Sequence, residues 1–372
     1  MKVLLPLVAA GVMLSVIATG CATNGQHGEA SHLLAKAVWR ALMDGRRESR
    51  AEVGWAVVQN ARTGEILCAE TTDSGCLRHA PPEPWCNCRI ELGGLVLPFG
   101  VASALDFGVV SLNSPVDVSE KTVGGVTIHD NVFGRDSLTL AEIVKLSSNR
   151  GGAQLAMQMG REKTEKGLHA FGFAIDGSVS EKCNPDAQTA WMGMGYGVSA
   201  NGLQIASAFS ALANGGILYD AWGGTLGIYD YNPWGSSVGK RIPRKKMLFY
   251  GKDIVTERTC AMVVNMLRDA VGDSGTGRLA AVEGLDYFGK TATVRIRDGT
   301  IYSQSFRSIF AGCLPIENNL YTVLVVFEMP APEEKFSTSL FLEESAKVDA
   351  GLVAAPVFAK IAKAIQSFMM PQ

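Results

Sequence analysis

Lys290 stands in "DYFGKTATVRI", a stretch that is otherwise aromatic, aliphatic or threonine. A strand lysine flanked by small hydroxyl residues can set its ammonium at the edge of a cleft, where Thr291 and Thr293 can hydrogen-bond an anion. A second polar group, Ser147-Ser148-Asn149, follows the amphipathic run "LTLAEIVKL". Taken singly, each has an ordinary explanation: Ser-Ser-Asn is common in loops, and Lys-Thr in a strand is commonly a solvated face. The third stretch is "ELGGLVLPFG", residues 91–100. A glycine pair, an apolar run and a proline outline a tight turn opening a buried helix, which is a good place to hold a reactive side chain. Between Glu91 and Pro98, however, nothing can react. Ser237-Val238-Gly239-Lys240 repeats a Ser-x-x-Lys spacing but lies in a Gly/Pro-rich basic loop, and is discounted. Cys86, Cys88 and His129 are discounted as well.

The elements that must carry these groups follow from periodicity. Leu33, Leu34, Ala37, Val38, Ala41 and Leu42 recur at helical spacing, predicting a helix over 31–47. "VGWAVVQNARTGEIL" predicts a hairpin turning at Asn60–Gly64. The middle of the chain reads as helices, including "ANGLQIASAFSALANGG", stopped at Asn214-Gly215-Gly216, and "TERTCAMVVNMLRDAV". After Gly284 the period changes to strands: "DYFGKTATVRI" and "SFRSIFAGCLP" flank Asp298-Gly299, a strong hairpin signal, and "LYTVLVVFEMP" supplies a third. A final amphipathic helix is expected in "GLVAAPVFAKIAKAIQSFM". Strand–turn–strand connections require an antiparallel sheet with terminal helices available to cover it. The class is therefore α+β, with a helical lobe inserted at about 92–280. No alternating βαβ order or Gly-x-Gly-x-x-Gly supports a dinucleotide fold.

The chain has 372 residues, 47% hydrophobic and 19% charged, with a formal net charge of −2. That balance suits a globular protein and gives no support to nucleic-acid binding. The cluster Lys240-Arg241 with Arg244-Lys245-Lys246 reads as a solvated loop. Lys2, an apolar stretch from Val3 to Ile17, then Ala18-Thr19-Gly20-Cys21 read as an export signal over 1–20. The small residues before Cys21 resemble the lipobox of bacterial lipoproteins, which implies cleavage there and acylation of the thiol. Residues 21–30 read as a tether and 31–372 as one domain. If Cys21 is lipidated, seven of the eight cysteines remain. Cys76, Cys86 and Cys88 are close together, but their pairing does not follow from sequence. Cys86-Asn87-Cys88 has the wrong spacing for a zinc knuckle, so no metal is expected, and no cofactor is implied.

The order and spacing of the motifs change the weight of each. A helix-start Ser-x-x-Lys, then Ser-x-Asn, then Lys-Thr-Gly on a strand mark the penicillin-recognising serine acyltransferases. Over most of residues 31–372 the chain resembles the transpeptidase domain of class B penicillin-binding proteins. The matches are "ELGGLVLPF", "LTLAEIVKLSSNRG", "MGYGVSANGLQIASAFSALANGG", "FGKTATV" and "APVFAKI". The resemblance implies the penicilloyl-serine-transferase fold (β-lactamase/transpeptidase-like). It also implies that Gly94 stands where the family has its nucleophilic serine, and Leu97 where it has the lysine that activates it. Both changes remove the chemistry, since Gly94 has no oxygen to acylate and Leu97 has no base. By the same resemblance Ser147 matches a proton-relaying serine and Asn149 a residue that binds the substrate amide. Lys290 and Thr291 match the strand motif, with Ala292 in place of its glycine. The Thr293 N–H, with that of Gly94, matches the oxyanion hole.

These correspondences imply a lipid-anchored penicillin-binding protein relative on the periplasmic side of a bacterial membrane. Its expected partners are peptidoglycan stem peptides or cell-wall synthesis and division proteins. It is expected to act by binding or scaffolding rather than by catalysis. The alternative is a working D,D-transpeptidase or carboxypeptidase with an unrecognised nucleophile. Ser147, Asn149, Lys290, Thr291 and Thr293 are expected to converge on one cleft beside Gly94. There they are either a relic or a non-covalent site for a carboxylate-bearing peptide, with the threonine hydroxyls on the anion.

Overall fold

Strands in the middle of the sheet are apolar on both faces, and the architecture follows from that. In the computed structural model, which describes residues 23–73, 88–130, 132, 134–176, 184–219, 251–298, 301–329 and 349–369, five strands form one antiparallel sheet. They are β1 (Val53–Asn60), β2 (Ile66–Thr71), β3 (Phe288–Asp298), β4 (Ile301–Ile316) and β5 (Asn319–Met329), in the spatial order β3-β4-β5-β1-β2. Side chains alternate across the sheet. On β5, Leu324 and Val326 enter one hydrophobic cluster, while Val323, Val325 and Phe327 enter another on the opposite face. On β1, Trp55 and Val57 divide from Ala56 and Val58 in the same way. The sheet is therefore covered on both sides, as continuous rather than alternating apolar runs require.

One cover is made by the two ends of the described chain. Helix α1 (Thr23–Ser49) packs on β1 and β2, helix α8 (Ala354–Met369) on β4 and β5, and the two helices on each other. Leu34, Val38 and Leu42 meet Val357, Phe358, Ile361 and Ile365 there, all buried. Each such side chain contributes about 1.5–3 kcal/mol of transfer free energy. Helix α1 begins at Thr23, eight residues before the Ser31 expected, and runs through the segment read as a tether. Once the Leu34–Leu42 turns are packed, adding residues to the helix end no longer carries the cost of nucleation, so Asn24, Gly25 and Gly28 do not stop it. Cys21 and the apolar leader lie outside the described residues.

The other cover is the helical lobe: α2 (Leu97–Asp106), α3 (Leu140–Leu146), α4 (Asn149–Ala170), α5 (Pro185–Gly193), α6 (Gly202–Ala213) and α7 (Glu257–Val271). Their ends are written locally. Thr139 and Glu142 close a reciprocal cap on α3, and Asn201 and Gln204 do so on α6, each worth about 1 kcal/mol. Helix α6 stops at the expected glycine pair, with φ of +93° at Gly215 and +107° at Gly216. Both hairpins also fall where the turn residues put them: Gly64, at φ +76°, donates its N–H to the Asn60 carbonyl, and Asp298 pairs with Ile301.

Among the described residues, Cys68, Cys88, Cys260 and Cys313 are free thiols. Cys68 belongs to the cluster under α1 and α8, and Cys260 and Cys313 to the lobe-side cluster. Burial pushes the Cys68 thiol well up and the Cys260 and Cys313 thiols to about 12. Cys76 and Cys86 lie outside the described residues. No helix among the described residues is long and apolar enough to cross a membrane.

Candidate functional site

The site lies where the lobe meets β3, and three short segments build it. The first is the turn before α2. Residues 90–91 pair with 199–200, the Leu92 N–H reaches the Val198 carbonyl at 3.0 Å, and a 3-10 turn over Gly93–Val96 leads into α2 with Pro98 in its first turn. Gly93 has φ +48°, and a Cβ there would lie 2.1 Å from Val294 Cγ1, so only glycine lets the turn lie this close to β3. Glu91 anchors the turn from below. Its buried carboxylate accepts from the Gly197 N–H at 3.0 Å and the Tyr302 hydroxyl at 3.0 Å, and pairs with Arg297 at 3.4 Å. Arg297 also pairs with Asp176. Burial, then the Glu91 charge, push the Tyr302 phenol upward, so it stays a donor.

The second segment joins α3 to α4. Ser147 ends α3 in the left-handed region, at φ 57° and ψ 46°, a conformation costing a non-glycine residue about 1–2 kcal/mol. The next residue holds it there. Ser148 is fully buried, caps α4 by accepting from the Gly151 N–H at 3.0 Å, and donates to Asp130. Asp130 in turn accepts from the Arg150 N–H at 3.0 Å.

The third segment is β3. Lys290 is fully buried, and its Nζ donates to Ser147 Oγ at 2.9 Å and to the Thr291 carbonyl at 3.0 Å. Burial pulls its pKa down from 10.5 to about 7, and the Asp349 charge draws it partly back up. The amine is thus poised to hold or lose its proton near neutrality.

Gly94 faces this pair. A Cβ on it would lie 2.7 Å from Ser147 Oγ, 3.5 Å from the Thr291 carbonyl oxygen and 3.7 Å from Lys290 Nζ. The position matching the family's nucleophile therefore lies against the lysine and serine expected around it, and the Ser147 hydroxyl occupies the space a residue-94 side chain would need. Leu97, 2% exposed, turns instead towards α4, where its Cδ2 is 2.5 Å from where a Gly152 Cβ would be. It lines a small apolar cavity with Val96, Ala156, Met159, Leu168 and Met192.

Three of the expected groups do not join this centre. The Thr291 hydroxyl donates to Thr276 at 2.8 Å, and the Thr293 hydroxyl accepts from the Ala350 N–H at 3.0 Å, just before α8. Alternation along β3 is the reason. Lys290, Ala292 and Val294 share the lobe face, so the intervening threonine side chains turn the other way. The Asn149 amide donates to the His129 carbonyl at 3.2 Å. Ala292 is buried in the lobe-side core, 4.0 Å from where a Gly93 Cβ would be, and Val294 packs against the same turn. Val294, Thr276, Asp349 and the Glu91–Arg297–Tyr302 group were not singled out from the sequence. Of these only Val294 had a usable signal, its period-two spacing from Lys290. No group of three or more His, Cys, Asp or Glu among the described residues is arranged to hold a metal.

A mixed fold with a helix-covered antiparallel sheet, a tight turn before a buried helix, a Ser-Ser-Asn corner and a Lys-Thr strand defines a penicillin-recognising acyltransferase scaffold. The family model for the penicillin-binding protein transpeptidase domain matches residues 54–363, and the chain belongs to that family. Among its relatives are probable peptidoglycan D,D-transpeptidases. PenA of Neisseria gonorrhoeae is 27% identical over 84% of this chain and 51% of its own length. FtsI of Caulobacter vibrioides is 28% identical over 94% of this chain and 60% of its own. The chain thus spans about half to three-fifths of the length of these relatives. The fold also matches the transpeptidase domain of penicillin-binding protein 3 from Burkholderia pseudomallei, at a TM-score of 0.68 and 23% identity, over 91% of this chain and 95% of that one. A peptidoglycan glycosyltransferase structure from Burkholderia ambifaria matches at the same TM-score of 0.68 and identity of 23%, over 91% of this chain and 96% of that one.

Proposed function

We propose that this chain is a member of the penicillin-binding protein family that works by binding at sites of peptidoglycan synthesis, without transpeptidase chemistry. One observation carries the reading. Position 94, which faces Lys290 and Ser147, has no side chain, so no oxygen at that place can take an acyl group from a peptide or a β-lactam. Leu97, buried among apolar side chains, supplies no base. The family to which its relatives belong supports peptidoglycan or its synthesis proteins as the binding partner.

Labelling with a fluorescent penicillin tests the reading. No band is expected from the purified protein at penicillin concentrations that saturate an active relative run alongside. A stoichiometric adduct, placed by mass spectrometry on any side chain of this cleft, would overturn it.

The working location belongs to the same proposal. The Ala18-Thr19-Gly20-Cys21 run supports cleavage before Cys21 and lipid attachment to its thiol, on the periplasmic side of a membrane. Cys21→Ser is expected to move the protein from the membrane to the soluble fraction, since lipid chains would supply the anchoring. A Cys21→Ser protein that is cleaved yet stays with the membrane would count against lipidation.

A further inference from the structure

Losing the residue-94 side chain leaves a serine and a lysine in direct contact. Lys290 Nζ is 2.9 Å from Ser147 Oγ, and the lysine is fully buried, whereas Ser147 and Gly94 are each partly exposed. The missing Gly94 side chain opens one approach to that oxygen, because a Cβ there would come within 2.7 Å of it. Ser147 is also held in the left-handed region by the Ser148–Asp130 cap, which fixes the hydroxyl against the amine. A serine hydroxyl needs three things to become a nucleophile: a base in contact, a fixed orientation and an open face. All three are present at Ser147.

We propose that Ser147 and Lys290 form a displaced nucleophile–base pair that accepts acyl groups from small activated esters. The Ser147 oxygen attacks the acyl carbon of an aryl ester and its proton passes to the unprotonated Lys290 amine. The carbon–oxygen bond to the aryl group breaks with its electron pair, and the phenolate takes the proton from Lys290. Water then adds to the acyl-serine, with Lys290 again holding and returning the proton, and the carboxylic acid leaves. Lysine replaces histidine as the base in serine hydrolases of several folds, and the lowered pKa of Lys290 suits that task near neutral pH. Small substrates are favoured because Ser147 is only partly exposed. The activity goes beyond the binding role and does not depend on it.

A fluorophosphonate serine probe, followed by intact-mass and peptide mapping, tests the pair. Oγ attacks phosphorus, fluoride leaves with the P–F electron pair, and the serine proton goes to Lys290. A one-to-one adduct on Ser147 is expected, with a labelling rate that rises through pH 7. Ser147→Ala should abolish it. Gly94→Ala should also abolish it by covering the oxygen; Gly94 has no positive φ, so alanine suits its backbone. Lys290→Met should slow it about 10²-fold or more. Melting curves for each variant identify any that fail to fold, and Gly94→Ala decides the matter if Ser147→Ala does. No adduct on the wild type, an adduct on Lys290 or elsewhere, or equal labelling of a folded Lys290→Met protein would overturn the proposal. A penicillin adduct would sink the non-catalytic reading instead, so the two can fail separately.

Discussion

Lys290→Met is expected to change how stability depends on pH more than any other single substitution in the site. In the folded chain the amine is buried and its pKa is drawn from 10.5 to about 7; in the unfolded chain it is ordinary. Between those values the unfolded state binds more protons, so the wild type gains stability as pH rises from 7 to 10.5. Below pH 7 both states are protonated and the contribution is constant. A shift of this size corresponds to a change on the order of 5 kcal/mol in the difference between wild type and variant across the window. The Met variant should therefore be relatively most stable at and below pH 7, and lose that advantage towards pH 10.5. Losing the hydrogen bonds to Ser147 and Thr291 offsets the whole curve without changing its slope. Urea unfolding of both proteins at a series of pH values measures this directly. Parallel curves would mean that Lys290 titrates as a solvated amine, and that the closed packing around it is wrong.

Restoring the missing pair is expected to fail at Leu97. That side chain is 2% exposed, and its cavity neighbours are mostly apolar. None of the described residues lining that cavity carries a carboxylate, so the uncompensated charge of a lysine there should cost about 3–5 kcal/mol. The melting temperature of Leu97→Lys should fall on the order of 5–15 °C. Gly94→Ser adds a second difficulty, because its Cβ would lie 2.7 Å from Ser147 Oγ and displace the hydroxyl from Lys290. The double variant Gly94→Ser/Leu97→Lys should stay unlabelled by penicillin. Labelling of the double variant would show that the site accommodates both side chains without these penalties.

The sequence was a good guide to elements and a partial guide to the site. Helix stops such as Asn214-Gly215-Gly216 and hairpin turns such as Asn60–Gly64 act through local backbone chemistry, so they were readable without the fold. Gly94, Ser147 and Lys290 were linked in the sequence by motif order alone, and the structure gives the distances among them. The hydroxyl partners of the threonines, Thr276 for Thr291 and the Ala350 N–H for Thr293, were not legible because residue types were read without strand alternation. Asn149 donates to a backbone carbonyl 20 residues away, at His129, and nothing in the side-chain sequence marks that partner. Glu91 was seen only as part of a motif. Its contacts with Gly197 and Tyr302 join residues 106 and 211 positions apart, a pairing that only the folded chain reveals.

The free cysteines have a use beyond packing. Cys68 sits on the face covered by α1 and α8, and Cys260 and Cys313 sit on the lobe side. With their thiols held protonated by burial, none offers an alkylating reagent a thiolate until its surroundings open. Each layer of the molecule therefore carries its own chemical clock. The order in which the three sulfurs become modified records which side of the sheet breathes first.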